Sequence, residues 1–157
     1  MIILNDIKSK EYIEKAAQIA LNSKCLRSKC GCVIIKNDEI IGEGYNSPPG
    51  DEIIKICKKD SLAINFKSDK TCCIHAEQRA IIETLKKNSE KIKDSTLYFI
   101  RIDENGDKVF AGKPYCTICS KMALQVGIKE FVLLHEKGIT AYDTKEYNEQ
   151  SFNYKGY

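Results

Sequence analysis

The chain has 157 residues, of which 43% are hydrophobic and 30% charged, and this suits one globular domain over residues 1–157. Its 25 basic and 22 acidic residues give a formal net charge of +3, too small to indicate nucleic-acid or membrane-surface binding. No apolar run approaches a membrane span, and the chain turns polar after Leu4, unlike an export signal. We therefore expect a cytoplasmic protein and exclude membrane, collagen-like and disordered classes.

Hydrophobic spacing predicts that helices and strands alternate along the chain. In chain order the pattern predicts a helix over 7–22, strands over 32–35 and 40–45, a helix over 74–86, a strand over 96–102, a helix over 116–126, a strand over 131–134 and a last helix. Residues 46–73 show no clear period, and so long a loop in a compact domain is usually functional. We expect an α/β domain in which helices cover a sheet, with a helical tail over 136–157.

One histidine, one glutamate and two cysteines stand where two predicted helices begin. His75 and Glu77 open one helix, and Cys116 and Cys119 open another. Cysteines at i and i+3 leave the same helical face, so their sulfurs can bind one tetrahedral zinc with a histidine as the third ligand. Three protein ligands leave one position open, which is typical of catalytic zinc. Glu77 is not needed as a ligand and, beside a metal that activates water, is placed for proton transfer.

The chain has eight cysteines, a high number for its length, and we expect the protein in the reducing cytosol. Disulfides are rare there, so metal binding explains the set better. Cys57, Cys72 and Cys73 fall in or at the end of the long loop. They are either ligands of a second, structural zinc or simply buried and surface thiols, because the loop offers no histidine to complete a tetrahedral site.

The pattern H-x-E followed by P-C-x-x-C is the signature of zinc-dependent nucleobase deaminases, although Tyr115 separates Pro114 from Cys116 here. Segments 23–36 and 42–50 also resemble the first hairpin of the cytidine deaminase-like superfamily, and of deoxycytidylate deaminases in particular. The resemblance covers residues 10–135. It implies a three-layer α/β/α fold with a mixed five-stranded sheet and one catalytic zinc. It also implies hydrolytic deamination, with dCMP as the expected substrate and dUMP as its product.

The resemblance also implies that Asn46 contacts the sugar or base of the substrate. The alternative is that Asn46 is only a turn residue near Pro48 and Pro49. Ala76 and Tyr115, which adjoin the predicted zinc ligands, are further predicted substrate contacts. These three positions complete the predicted nucleoside-binding part of the site.

Arginine suits a nucleotide phosphate because its planar fork donates two parallel hydrogen bonds. The chain has three arginines, Arg27, Arg79 and Arg101. Arg27 precedes the first predicted strand of the hairpin, and Arg79 follows His75 by four residues, which places it on the same helical face. We predict that both contact the phosphate, with a surface salt bridge as the alternative for each.

Three functions remain open at this point. The first, favoured by the long loop, is deamination of a free pyrimidine nucleotide. In that case we expect the nucleotide to be the small-molecule partner, besides further copies of the chain in a homo-oligomer. The second is deamination of another base, such as guanine or cytidine, or of a base in tRNA or single-stranded nucleic acid. The dispersed lysines and weak net charge disfavour the nucleic-acid substrates. The third is a zinc-stabilised binding module without activity, in which Glu77 caps a helix.

Overall fold

The computed structural model describes residues 1–63 and 72–155, so residues 64–71 of the long loop and 156–157 of the tail lie outside the described part. Four α-helices are described: α1 (Ile7–Ala20), α2 (Ala76–Lys87), α3 (Thr117–Gln125) and α4 (Thr144–Asn153). Seven strands are described: β1 (Ile2–Leu4), β2 (Lys29–Lys36), β3 (Glu39–Tyr45), β4 (Thr96–Ile102), β5 (Lys108–Val109), β6 (Glu130–His135) and β7 (Gly138–Asp143). No helix in these two ranges is both long and apolar enough to cross a membrane.

The strands form one mixed sheet with the order β1-β7-β6-β4-β2-β3, and β5 pairs with the end of β4. β2 runs antiparallel to both β3 and β4, whereas β4 and β6 are parallel and are linked through α3. Asn37 and Asp38 form the turn that joins β2 to β3, and both residues have positive φ, as a type I′ hairpin requires. The parallel β4–β6 pair matters for function because its crossover carries α3 over the sheet.

Helices cover both faces of the sheet, and each face has its own core. On one face α1 packs against side chains of β2, β4, β6 and β7, among them Val33, Ile100 and Val132. On the other face α2, α3 and α4 pack against alternate residues of the same strands, among them Ile34 and Phe131. The predicted three-layer α/β/α architecture is therefore confirmed.

Two details of the prediction are corrected. The sheet has seven strands in the described part instead of five, because β1 and β5 have only three and two residues and are too short to show a period. The tail is not helical throughout: β7 occupies its first part, and α4 begins only after Asp143. Asp143 caps α4, since its Oδ1 accepts hydrogen bonds from the backbone N–H groups of Lys145 and Glu146.

Candidate active site

The starts of α2 and α3 carry the predicted ligands. His75 is the residue that caps the N-terminus of α2, and its backbone N–H donates to Gln78 Oε1 at 3.0 Å. Cys116 stands in the same position before α3, and Cys119 follows in the first turn of that helix. Helix N-termini present unpaired N–H groups and partial positive charge, which favour anionic ligands such as thiolates.

The imidazole and the two thiols converge. His75 Nδ1 lies 3.2 Å from Cys119 Sγ and 3.4 Å from Cys116 Sγ, and all three donor atoms lie within 4.8 Å of one another. Bonds from a tetrahedral zinc of ~2.0 Å to nitrogen and ~2.3 Å to sulfur separate such atoms by roughly 3.5 Å. The three residues therefore fit one zinc ion and supply three of its four ligands.

The two thiols differ in protonation. The Cys119 thiol donates a hydrogen bond to Cys116, and His75 lies beside it, so the pKa of Cys116 falls to about 4. The same hydrogen bond, together with burial, raises the pKa of Cys119. The hydrogen bond with Cys116 also raises the pKa of His75. The cluster thus presents a thiolate beside an imidazole, which is the donor chemistry of a zinc site.

Glu77 lies in the first turn of α2, with only 5% of its surface exposed. Burial, with a further effect of the Cys116 thiolate, raises the pKa of its carboxyl group to about 7. Glu77 is not one of the three converging donors. The structure therefore places a separate, buried carboxyl group beside the cluster, where the sequence predicts the proton-transfer residue.

A cavity of about 210 Å³ opens in front of the cluster, and we call it the zinc-site cavity. Its wall includes His75, Glu77 and Cys116. Four of the predicted substrate contacts also line it: Asn46, Arg27, Ala76 and Tyr115. The structure thus brings nearly all the predicted site residues to one space, although they come from separate parts of the chain.

Asn46 is buried at the wall of the zinc-site cavity, and its side chain is fixed by hydrogen bonds. Its Oδ1 accepts from Ser23 Oγ at 2.8 Å and from the Cys30 backbone N–H at 2.7 Å. Its Nδ2 donates to the Ser28 carbonyl oxygen at 2.8 Å. A primary amide has two N–H donors, so one remains without a partner in the described ranges.

The two predicted phosphate contacts are in different surroundings. Arg27 lines the zinc-site cavity, and its Nη1 lies 3.6 Å from Asp60 Oδ1. Arg79 is not part of the cavity wall as described; its guanidinium lies 4.5 Å over the ring of Tyr45 and 3.3 Å from Asp51. For Arg79 the structure favours the salt-bridge alternative, because Asp51 and Tyr45 already pair with its guanidinium.

The aromatic residues of the tail both pack and border the site. Tyr147 is buried, stacks on Phe131 with ring centroids 3.9 Å apart, and reaches the cavity wall. Tyr154 meets Tyr115 with centroids 5.8 Å apart. Tyr115 is 66% exposed, so it lies at the mouth of the cavity.

Sequence reasoning missed Phe99, Ser28 and Cys30, which also line the zinc-site cavity. Phe99 could have been found from the alternation along β4, since Tyr98 packs on the α1 side and its neighbour must face the other layer. Ser28 and Cys30 carry no comparable signal, because their place in the wall depends on how the start of β2 pairs with β4.

The three loop cysteines do not form a second cluster in the described residues. Among residues 1–63 and 72–155, His75, Cys116 and Cys119 make up the one group of three or more such side chains whose donor atoms converge. Cys72 Sγ accepts a hydrogen bond from the Lys58 backbone N–H at 3.2 Å, and Cys57 is buried. This arrangement favours the thiol alternative over a second zinc.

A match to a known family model decides the family. The model of the cytidine and deoxycytidylate deaminase zinc-binding region matches residues 6–135. The chain belongs to the cytidine and deoxycytidylate deaminase family. Membership confirms the resemblance seen in the sequence and the predicted zinc-binding region, within which His75, Cys116 and Cys119 converge.

Relatives and solved structures agree with this family. The deoxycytidylate deaminases of Schizosaccharomyces pombe and Mycobacterium phage D29 are 27% and 30% identical to this chain, each over 77% of it. The matches span 35% of the S. pombe protein and 89% of the phage protein. The dCMP deaminase of cyanophage S-TIM5 in complex with dCMP and dUMP is 25% identical, with a TM-score of 0.56, covering 82% of this chain and 81% of that one.

Proposed function

We propose that the protein removes the amino group of dCMP by hydrolysis and releases dUMP and ammonia. The observation that carries the proposal is a buried carboxyl group, Glu77, beside a three-ligand zinc cluster on the wall of one cavity. Zinc held by His75, Cys116 and Cys119 would acidify a water molecule and so supply the nucleophile. The names of the relatives and the nucleotides bound in the S-TIM5 structure support dCMP as the substrate.

Glu77 is the residue that moves protons in this proposal. A carboxylate oxygen of Glu77 accepts a proton from the attacking water. Glu77 then donates this proton to the ring nitrogen next to the reacting carbon. It next accepts the second proton from the hydroxyl group now attached to that carbon and donates it to the amino nitrogen, which leaves as ammonia while the carbonyl of dUMP forms. One buried residue can serve in both directions because burial brings its pKa to about 7.

Asn46 and the aromatic wall orient the nucleoside. The hydrogen bonds from Ser23 and Cys30 and to Ser28 hold the amide of Asn46 in one position, and its second N–H can donate to a sugar hydroxyl or a base carbonyl. Phe99 supplies a flat apolar surface for the base. These contacts hold the base against Glu77 while the walls exclude bulk water.

A substrate panel tests the proposal. Zinc-loaded protein is incubated with dCMP, CMP, deoxycytidine, cytidine, adenosine and guanine, and ammonia is followed, with Cys116→Ala as the control that removes one ligand. We expect the largest kcat/KM for dCMP and no turnover by the control. Preferential release of ammonia from guanine or adenosine would replace dCMP by a purine, and no release from any compound would favour the binding-module alternative.

A further inference from the structure

A second cavity of about 110 Å³ adjoins the zinc-site cavity, and we call it the side cavity. The two cavities share five wall residues: Ser28, Cys30, Phe99, Tyr115 and Tyr147. Two cationic side chains line only the side cavity of this pair, Arg101 and Lys113. The zinc-site cavity holds the zinc ligands, Glu77 and the cations Arg27 and Lys59. The side cavity adds Arg101 and Lys113 at the other end of the combined space.

The sheet fixes the direction from one end to the other. Side chains alternate along a strand, so Arg101 shares the face of Phe99, while Ile100 between them packs on the α1 side. In the β2–β4 ladder Arg101 is directly opposite Cys30, a residue of the shared wall. Two residues along a strand span ~7 Å. Arg101 thus lies about one sugar's length beyond the side chain that borders the base.

Arg101 differs from the other two arginines in its charge partners. Arg27 lies beside Asp60 and Arg79 beside Asp51, whereas neither Arg101 nor Lys113 has a carboxylate within 4 Å in the part of the chain that the structure describes. Asp103, close by in sequence, accepts hydrogen bonds from two backbone N–H groups of its own turn. A cation that lines a cavity without an acidic partner is suited to an anionic ligand.

The charge of Arg101 also reaches the shared wall. Burial raises the pKa of the Cys30 thiol to about 12, the Glu77 carboxylate adds to this, and Arg101 acts in the opposite direction. Cys30, on the shared wall, is therefore within the electrostatic influence of both Glu77 and Arg101.

We propose that Arg101, with Lys113, binds the phosphate of the substrate and makes the site select a nucleoside 5′-monophosphate over the nucleoside. This inference rests on the proposed function and names a phosphate contact other than Arg79 and Arg27. The guanidinium donates two parallel hydrogen bonds to phosphate oxygens, and the ammonium group adds a point charge. The phosphate dianion then lies at the end of the space away from Glu77 and the Cys116 thiolate, whose negative charges would repel it.

Product binding tests the inference without turnover. Calorimetry measures the affinities of zinc-loaded wild type, Arg101→Gln and Arg101→Lys for dUMP and for deoxyuridine. Lys86→Gln, which removes a cation from the exposed end of α2, is the control for net charge. We expect wild type and the control to prefer dUMP, Arg101→Gln to lose about 10-fold or more of that preference, and Arg101→Lys to retain part of it.

Each other outcome overturns the inference. Arg101→Gln that keeps the wild-type preference, wild type without a preference, or an equal loss in Lys86→Gln would show that Arg101 does not bind the phosphate. Failure of the proposed function is seen separately, as absence of ammonia release from dCMP by a protein that still binds dUMP through Arg101.

Discussion

Helical spacing places Arg79 near the active site, but in the structure its side chain pairs with Asp51 at the start of the long loop. Arg79 follows His75 by one helical turn, but its guanidinium lies 3.3 Å from Asp51 and 4.5 Å from the centre of the Tyr45 ring. The Tyr45 hydroxyl also donates to Asp51 Oδ2 at 2.8 Å. These three residues connect the start of the long loop to α2 and β3, which favours a stabilising role for Arg79.

Arg79→Gln is expected to lower the free energy of unfolding by about 1 kcal/mol at pH 7, because it removes a partly buried ion pair and a cation–π contact. The Tyr45 hydrogen bond and the charge of Arg79 lower the pKa of Asp51. A folded-state pKa below the unfolded value stabilises the protein fully above the unfolded value, near 3.8, and this contribution is lost as pH falls through the folded-state pKa. Urea unfolding at pH 7 and pH 3.5 should therefore show a smaller difference between variant and wild type at the lower pH.

Arg27→Gln is the matched arginine control, because its ion pair with Asp60 is more exposed and about 3.6 Å long. Its effect on unfolding should stay below about 0.5 kcal/mol. The account of Arg79 is contradicted if Arg79→Gln leaves unfolding unchanged but reduces the preference for dCMP over deoxycytidine.

At the level of elements, two glycines let helices lie directly on the sheet. A Cβ at Gly44 of β3 would lie 2.2 Å from the Ala76 carbonyl oxygen and 2.4 Å from the Ala80 nitrogen, both in the backbone of α2. A Cβ at Gly31 of β2 would lie 1.9 Å from the Ala16 carbonyl oxygen in α1. Gly44 therefore fixes the distance between the sheet and α2, the helix that begins with His75 and Glu77. Gly31 fixes the distance between the sheet and α1, which carries no predicted zinc ligand.

Gly44→Ala and Gly31→Ala should both destabilise the fold by about 1–3 kcal/mol, because helix backbone must move in each. Only Gly44→Ala should weaken zinc binding, because the added methyl group would shift the first turn of α2, and with it His75, relative to α3. Zinc affinity measured by chelator competition, at a temperature where circular dichroism shows both variants folded, separates the two effects. Equal zinc affinity in the two variants would show that the position of α2 does not set the cluster.

Long periodic elements could be predicted from the sequence, and short paired ones could not. The amphipathic pattern predicts α1, and the spacing of His75, Cys116 and Cys119 predicts the cluster because two helix starts fix the directions of these side chains. β7 was missed because the residues on both of its faces are buried, so it lacks alternation, and its pairing with β1 joins the two ends of the chain. The side cavity likewise depends on strand pairing, which a linear pattern does not contain.

At the scale of the whole molecule, the number of zinc ions follows from how the cysteines are distributed. We expect metal analysis to find one zinc per chain, because one converging three-ligand group is present in the described residues. Cys116→Ala should reduce the zinc content nearly to zero, since two ligands hold zinc poorly. Cys72→Ala, which changes a loop thiol bonded to the Lys58 backbone, should keep one zinc per chain. Two zinc ions per chain, with one lost in Cys72→Ala, would establish the second site instead.

In the proposed deamination of dCMP, Glu77 beside the zinc cluster carries out the proton transfers. The most direct test of this role is the rate of dUMP formation from dCMP by Glu77→Gln and wild type, compared at equal measured zinc content and equal thermal stability. The amide has nearly the same size but cannot shuttle protons, so turnover should fall at least ~10²-fold while zinc and fold are retained. A Glu77→Gln variant that turns over dCMP at near the wild-type rate would contradict the account.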